Sequence, residues 1–207
     1  MPGRFITLEG GEGAGKSTQA RLLAQALRAA GHTVVETREP GGAPGAEILR
    51  GLLLDPHAAW SLPAETLLHF AARAEHIART IRPALDAGSV VVCDRFADST
   101  MAYQGYAQGG DRAAIAALTT IMALRPDLTL VLDVSEKTSL ARLAGRGRAA
   151  DRYEREGEAF FARIRAAFRA IAAADSARCV LIPAEDGPEA VAARIRDTVR
   201  TRLSLAP

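Results

Sequence analysis

The residues Gly10-Gly11-Glu12-Gly13-Ala14-Gly15-Lys16-Ser17 fit the spacing G-x-x-x-x-G-K-[ST]. Glycines in such a run let successive backbone N–H groups turn inward around a phosphate, the lysine neutralises the outer phosphates of a triphosphate, and the serine hydroxyl can ligate magnesium. An apolar run, Phe5 to Leu8, precedes the segment and a helical pattern, Thr18 to Ala30, follows it. A bound phosphate would therefore lie at a helix N-terminus, where unpaired N–H groups and the helix dipole favour an anion. The candidate ATP-binding residues are Gly10, Gly11, Glu12, Gly13, Ala14, Gly15, Lys16, Ser17 and Thr18.

A phosphate loop does not by itself fix a reaction, since GTPases, motor ATPases, partitioning ATPases and small-molecule kinases all use one. Lysine narrows the field. It occurs only at Lys16 and Lys137, and Lys137 follows Glu136, so the Asn-Lys-x-Asp segment expected of a guanine-reading GTPase is absent. Gly11 stands where a partitioning ATPase carries a second lysine. A second constellation, Asp94-Arg95-Phe96, directly follows the apolar run Val90 to Cys93. In open α/β sheets ligands bind at the carboxyl ends of strands, which would put both residues beside the phosphate loop. Asp94 is suited to hold Mg²⁺, directly or through water, or to orient the attacking group, and Arg95 can grip a phosphate with its planar fork.

Positioning these groups requires alternating strands and helices, and the chain has that pattern. Strands are expected at Phe5 to Leu8, Thr33 to Glu36, Val90 to Cys93, Leu128 to Asp133 and Cys179 to Ile182. The third and fourth are almost continuously apolar, as in parallel strands covered on both faces. Ile77, Ile81 and Leu85 recur at helical spacing, as do Val191, Ile195, Val199 and Leu203, the second set following Gly187-Pro188-Glu189. A long helix is expected from Pro63 to Ala87, a loop over Glu39 to Gly45, and a glycine-punctuated arginine segment from Gly145 to Arg152. The fold class is α/β: a doubly wound five-stranded parallel sheet with helices on both faces and a short lid. The 207 residues read as one domain, 1–207, with the lid at about 145–156.

The net charge of +2 excludes a strongly basic nucleic-acid coat or a membrane-surface protein. No run of about 18 uncharged apolar residues marks a membrane span. Cys93 and Cys179 lie in apolar stretches and read as reduced core residues, so a cytoplasmic location is expected. Apart from the two lysines, every basic residue among the 26 is arginine, and alanine is abundant, which reads in the main as compositional bias.

Several motifs in order carry a resemblance. Glu9 to Thr18, then Arg38-Glu39-Pro40-Gly41-Gly42, then Asp94-Arg95-Phe96 with Ser99-Thr100 and Ala102-Tyr103-Gln104-Gly105, closely resemble bacterial thymidylate kinase, a P-loop nucleoside monophosphate kinase family, along nearly the whole chain. The resemblance implies an ATP-dependent transferase, a nucleotide biosynthesis enzyme that reversibly phosphorylates dTMP to dTDP on the way to dTTP. It also implies a Mg²⁺ requirement, a homodimer, and neither nucleic-acid nor membrane partners. The dTMP-binding positions it implies are Glu12, Arg38, Arg50, Phe70, Arg73, Arg95, Ser99, Thr100, Tyr103 and Gln104. Within that set Arg38 and Arg95 would hold the acceptor phosphate in line, Arg73 would bond the thymine edge, and Tyr103 would crowd the ribose 2′ position.

Two departures matter. The aromatic that stacks on thymine in the family lies four residues before the base-reading arginine; here that residue is His69 and Phe70 follows it, so either ring could stack. Some members carry a catalytic arginine in the phosphate loop, whereas this loop has Glu12 and no arginine. Arginine must then come from the lid, where Arg146, Arg148 and Arg152 are available. The candidate catalytic residues are Lys16, Asp94, Arg95, Arg148 and Arg152, with Ser17 and Asp94 toward Mg²⁺. A kinase for another acceptor, such as dUMP or a deoxynucleoside, and an acceptor-independent ATPase remain as rival readings.

Overall fold

A computed structural model describes residues 3–145 and 157–207. Five strands, β1 (Arg4–Glu9), β2 (Val34–Arg38), β3 (Val90–Asp94), β4 (Leu128–Asp133) and β5 (Cys179–Pro183), form one sheet in the order β2-β3-β1-β4-β5. All four pairings are parallel. Because β1 is central, with β2 and β3 on one side of it and β4 and β5 on the other, the crossovers part at its carboxyl end and leave a crevice there. Register completes the arrangement: Leu8 pairs with Asp94, Arg38 pairs with Asp94 from the other side, and Glu9 pairs with Val131. Three strand ends therefore arrive at one edge.

The two-residue period of β1 splits its side chains between two cores. Ile6 and Leu8 face a layer made by α1 (Lys16–Ala29) and α9 (Pro188–Leu203), joined by Leu23, Leu27, Ile195 and Val199. Phe5 faces the other side, where its ring meets the Phe96 ring edge-on at 4.9 Å. That side is covered by the long helical run α3 (Leu62–His76), a π-helical turn (Ile77–Ile81) and α4 (Arg82–Asp86), and by α8 (Glu158–Ala174). Two polar residues of β1 also point there. Thr7 shares a 2.7 Å hydrogen bond with Thr129 of β4, and the Arg178 guanidinium reaches Thr129 Oγ1 at 2.6 Å and the Asp98 carboxylate at 2.6 Å, so this buried polar thread is satisfied.

The expected strands and the long helix are present, with ends shifted by at most two residues. Two differences have physical causes. The loop after β2 stops at Ala43, because Pro44 occupies the first turn of a helix, α2 (Pro44–Leu54), where its missing N–H costs nothing. The long helix continues past Pro83 as expected but is not α-helical throughout: a π-helical turn over Ile77–Ile81 precedes the proline, which stands in the first turn of α4. The remaining elements are α5 (Ala97–Thr100), continued by a π-helical segment (Met101–Ala107), then α6 (Arg112–Ile121) and α7 (Glu136–Ala144), whose N-cap Ser135 bonds Thr138 N. Among the described residues no helix is long and apolar enough to cross a membrane.

Leu27 is fully buried between α1 and the sheet. Leu27→Ala is expected to lower the unfolding free energy by about 2–5 kcal/mol, the range for a leucine deleted from a close-packed core. Urea unfolding checks it, with a midpoint that falls at unchanged slope.

Candidate active site

The turn from β1 into α1 explains its own glycines. Gly10 has φ 134° and a Cβ there would lie 2.5 Å from the Leu132 carbonyl oxygen. Gly13 has φ 71° and a Cβ would meet Ser139 O at 2.6 Å. The loop is thus pressed against β4 and α7, and the Ser139 hydroxyl donates to Glu12 O from the same side. Gly15, at φ 95°, caps α1, so the first free N–H groups of the helix open into the loop.

Lys16 lies across this loop with its Nζ donating to Gly11 O at 2.7 Å. Burial, reinforced by the neighbouring Arg95 charge, lowers its pKa to about 8. Ser17 donates to Asp94 Oδ2 at 2.5 Å. The other carboxylate oxygen, Asp94 Oδ1, is buried and has no hydrogen-bond partner in the protein. An anionic oxygen left open beside a serine hydroxyl is a donor set suited to a hard cation such as Mg²⁺ or to its water shell.

Arg95 adopts φ 71°, a left-handed conformation that a long side chain takes at an energetic cost. Its surroundings hold it there. The Arg95 N–H donates to Leu8 O at 2.9 Å, and the buried Glu9 carboxylate accepts from Phe96 N at 2.8 Å and from the Ser99 hydroxyl at 2.6 Å. Burial, with Asp98 nearby, raises the Glu9 pKa to about 8. The Arg95 guanidinium pairs with Glu12 and also reaches Ser99 Oγ at 3.1 Å and Tyr103 Oη at 3.2 Å. Burial works against this charge, but Glu12, Asp94 and Glu9 outweigh it and hold the pKa above the ordinary arginine value. The Tyr103 hydroxyl donates to Glu12 at 3.1 Å, and burial keeps that phenol protonated well above neutral pH.

A cavity of about 300 Å³ joins these groups. Its wall includes Glu12, Lys16, Ser17, Arg38, Arg50, Arg73, Asp94, Arg95, Ser99, Thr100, Tyr103 and Gln104, so residues from five separate sequence segments meet in it as expected. Arg38 is paired with Glu47 at 3.1 Å, and Arg50 donates to Pro40 O at 2.6 Å. Gln104 is fixed by the buried Glu65, to which it donates at 2.8 Å. Phe70 is not on this wall. It is 3 % exposed and its ring lies against the Arg73 guanidinium, 4.9 Å from centroid to Cζ, while His69 lines the cavity. Residues 70 and 73 are three apart and share a helix face, which turns the phenyl ring under the arginine rather than into the opening.

Several wall residues had no role assigned from sequence: Glu39, Pro40, Leu54 and Phe96. Leu54 ends α2, a helix that the Pro-Gly-rich stretch before it concealed. Glu39 lay in a recognised motif, but only the fold shows its carboxylate bonded to Arg73 Nε at 2.8 Å, 34 residues away in sequence. Arg146, Arg148 and Arg152 lie outside the described residues.

Comparison with known proteins agrees with this geometry. A family model described as thymidylate kinase matches residues 8–195. The chain is 52 % identical to the thymidylate kinase of Gluconobacter oxydans over 207 residues, covering 98 % of this chain and 97 % of that one. It is 53 % identical to the thymidylate kinase of Caulobacter vibrioides over 208 residues, covering 98 % and 99 %. The crystal structure of thymidylate kinase from Ehrlichia chaffeensis superposes with a TM-score of 0.80 at 32 % identity, covering 96 % of this chain and 100 % of that one. On the family match over residues 8–195 and on relatives about half identical over nearly the full length, the protein belongs to the thymidylate kinase family.

Proposed function

We propose that this chain transfers the γ-phosphoryl group of ATP to dTMP, giving dTDP and, in reverse, regenerating dTMP. The observation that carries this reading is the single cavity that runs from the phosphate loop to Arg73, with Lys16 at one end and Arg38, Arg50 and Arg95 between. A cavity of about 300 Å³ fits one nucleoside monophosphate, whose phosphate would meet the donor at the Lys16 and Ser17 end, and phosphoryl transfer needs little else than alignment and charge neutralisation.

The residues divide by what they can bond. The phosphate-loop N–H groups and Lys16 take the donor phosphates. Arg95, with Arg38 and Arg50, takes the acceptor phosphate, where a planar fork can bind two oxygens at once. The base reaches Arg73. Its Nη1 is buried and unpartnered in the protein, which makes it a donor ready for a 4-oxo group and unsuited to the amino group of a cytosine. His69 stands on the same wall one helical turn earlier, where it offers its ring to the base. Tyr103 packs against the Arg95 guanidinium at 5.0 Å and narrows the space where a 2′-hydroxyl would project. Thr100 and Gln104 complete the base end, and Glu12 and Ser99 the sugar and phosphate end.

Ser17 and Asp94 are the residues that would hold Mg²⁺, and the open Oδ1 of Asp94 supports that assignment. The ion would supply charge neutralisation on the ATP phosphates. Arg148 and Arg152, from the lid at about 145–156, are assigned to the transferring group by the resemblance and by the lack of arginine in the phosphate loop. The reading includes a homodimer. Ile48 on α2, Leu67 on α3 and Ile121 on α6 are more than half exposed, and α3 packs against both other helices, giving an apolar face for a second copy. The two free buried cysteines fit a cytoplasmic enzyme.

Steady-state assays across dTMP, dUMP, dCMP and thymidine are expected to favour dTMP; preference for another acceptor, or ATP turnover without one, removes the substrate assignment. Replacing Arg148 and Arg152 together is expected to depress kcat more than dTMP affinity, and the opposite split reassigns them to acceptor binding. Lys16 also predicts a pH limb. Its charge is held down to about 8 by burial, so the free enzyme loses the cation as pH rises through that value, and kcat/KM for ATP is expected to fall above about pH 8. Glu9 titrates in the same range, and a Glu9→Gln variant that keeps the limb assigns it to Lys16.

A further inference from the structure

Arg73 is held on every side but one. Its Nε donates to Glu39 Oε2 at 2.8 Å, and its Nη2 donates to Phe96 O and Thr100 Oγ1, both at 3.1 Å. The guanidinium lies between two rings, 4.9 Å from the centroid of Phe70 and 5.2 Å from that of Phe96. Only Nη1 is without a partner. Glu39 is the one charged group among these contacts, so whatever sets its carboxylate contributes to the direction of that one N–H.

Glu39 is itself 6 % exposed, and its second oxygen does not face solvent. Oε1 lies 3.1 Å from Nδ1 of His76, which is 0 % exposed, and His76 Nε2 lies 2.7 Å from Thr37 Oγ1. A carboxylate only accepts, so the proton of the first contact sits on Nδ1; in the neutral ring Nε2 then accepts from the Thr37 hydroxyl. In that tautomer the donors run in one sense, Thr37 to His76 to Glu39, with Arg73 donating to the far oxygen of the same carboxylate. The chain leaves no room for slack. A Cβ on Gly42 would lie 2.4 Å from His76 Nε2 and 2.5 Å from Thr37 Oγ1, and Thr80 pins that glycine through its carbonyl at 2.7 Å.

We propose that His76 and Glu39 are positioning residues for base recognition: the buried relay Thr37–His76–Glu39 orients Arg73 and thereby sets preference for a 4-oxo pyrimidine. This rests on the reading that Arg73 meets the base. Neither His76 nor Thr37 lines the cavity to which Arg73 belongs, so their influence on the acceptor passes through Glu39.

The test is a His76 series on the full-length enzyme, with kcat and KM measured for dTMP, dCMP and ATP. His76→Leu is expected to raise KM for dTMP by about tenfold or more, the loss associated with a hydrogen bond to a charged group, while kcat stays within about threefold. The preference for dTMP over dCMP falls with it, and KM for ATP does not move. His76→Asn places an amide N–H at the Nδ1 position and is expected to recover most of the dTMP affinity; His76→Gln mimics Nε2 and is expected not to. Thr37→Val, which loses only the terminal hydroxyl, gives a smaller shift of the same sign. Should the leucine variant fail to fold, the Asn/Gln contrast decides. Equal behaviour of Asn and Gln, or matched rises in both KM values with a lowered Tm, overturns the proposal by reducing His76 to a packing residue. Arg73→Gln separates the two layers: if it spares dTMP affinity and base preference, the reading of Arg73 fails and the relay with it; if it abolishes them while the His76 series does nothing, the relay alone fails.

Discussion

A crevice that binds two phosphate-bearing molecules must first hold its own cations together. Lys16, Arg38, Arg50 and Arg95 line one cavity at the end of the sheet, where like charges repel. The cost is visible in Lys16, whose charge is weakened by burial and by Arg95, and in Arg50, weakened by burial and by Arg38. Carboxylates offset it: Glu12 pairs with Arg95, Glu47 with Arg38, and Asp94 lies close by. The acid residues of the site are the condition under which its basic ones can be assembled before any ligand arrives.

The sheet order makes that assembly possible. With β1 in the middle, the phosphate loop at its end lies beside the Asp94-Arg95 turn of β3 and the Arg38 end of β2, although these are separated by scores of residues in sequence. Each side chain needs support of its own. Arg95 occupies a left-handed backbone conformation because the Glu9 carboxylate fixes the two N–H and O–H donors that follow it. Arg73, from a helix rather than a strand end, is braced instead by rings and by the relay behind it. Arg95 and Arg38 are paired with the carboxylates of Glu12 and Glu47, and Lys16 and Arg50 with backbone carbonyls, whereas Arg73 is paired with a carboxylate that His76 holds from the interior.

The phosphate loop, the strands and the acceptor-side arginines were legible in the sequence because each has a local signature: glycines that must take positive φ, apolar runs, a charged pair at a strand end. Arg38, Arg50, Arg73, Arg95, Tyr103 and Gln104 all reach the cavity expected of them. What was not legible is non-local. Helix α2 was hidden because Pro44-Gly45 reads as loop until the chain places the proline at a first turn. The choice between His69 and Phe70 depends on which way one helix is rotated against the sheet. The roles of Glu9, Glu39 and His76 arise from contacts across 34 to 90 residues, and nothing in their own neighbourhoods announces them.

The pairing of Glu12 with Arg95 has a consequence for turnover. A guanidinium waiting in a half-dry cleft without a counter-ion would seize any phosphate with most of its desolvation cost recovered at once, and would release it reluctantly. A carboxylate already seated in the fork makes each arrival an exchange of one anion for another, and each departure likewise. The site thereby gives up some grip on its substrate and gains the freedom to let its product leave.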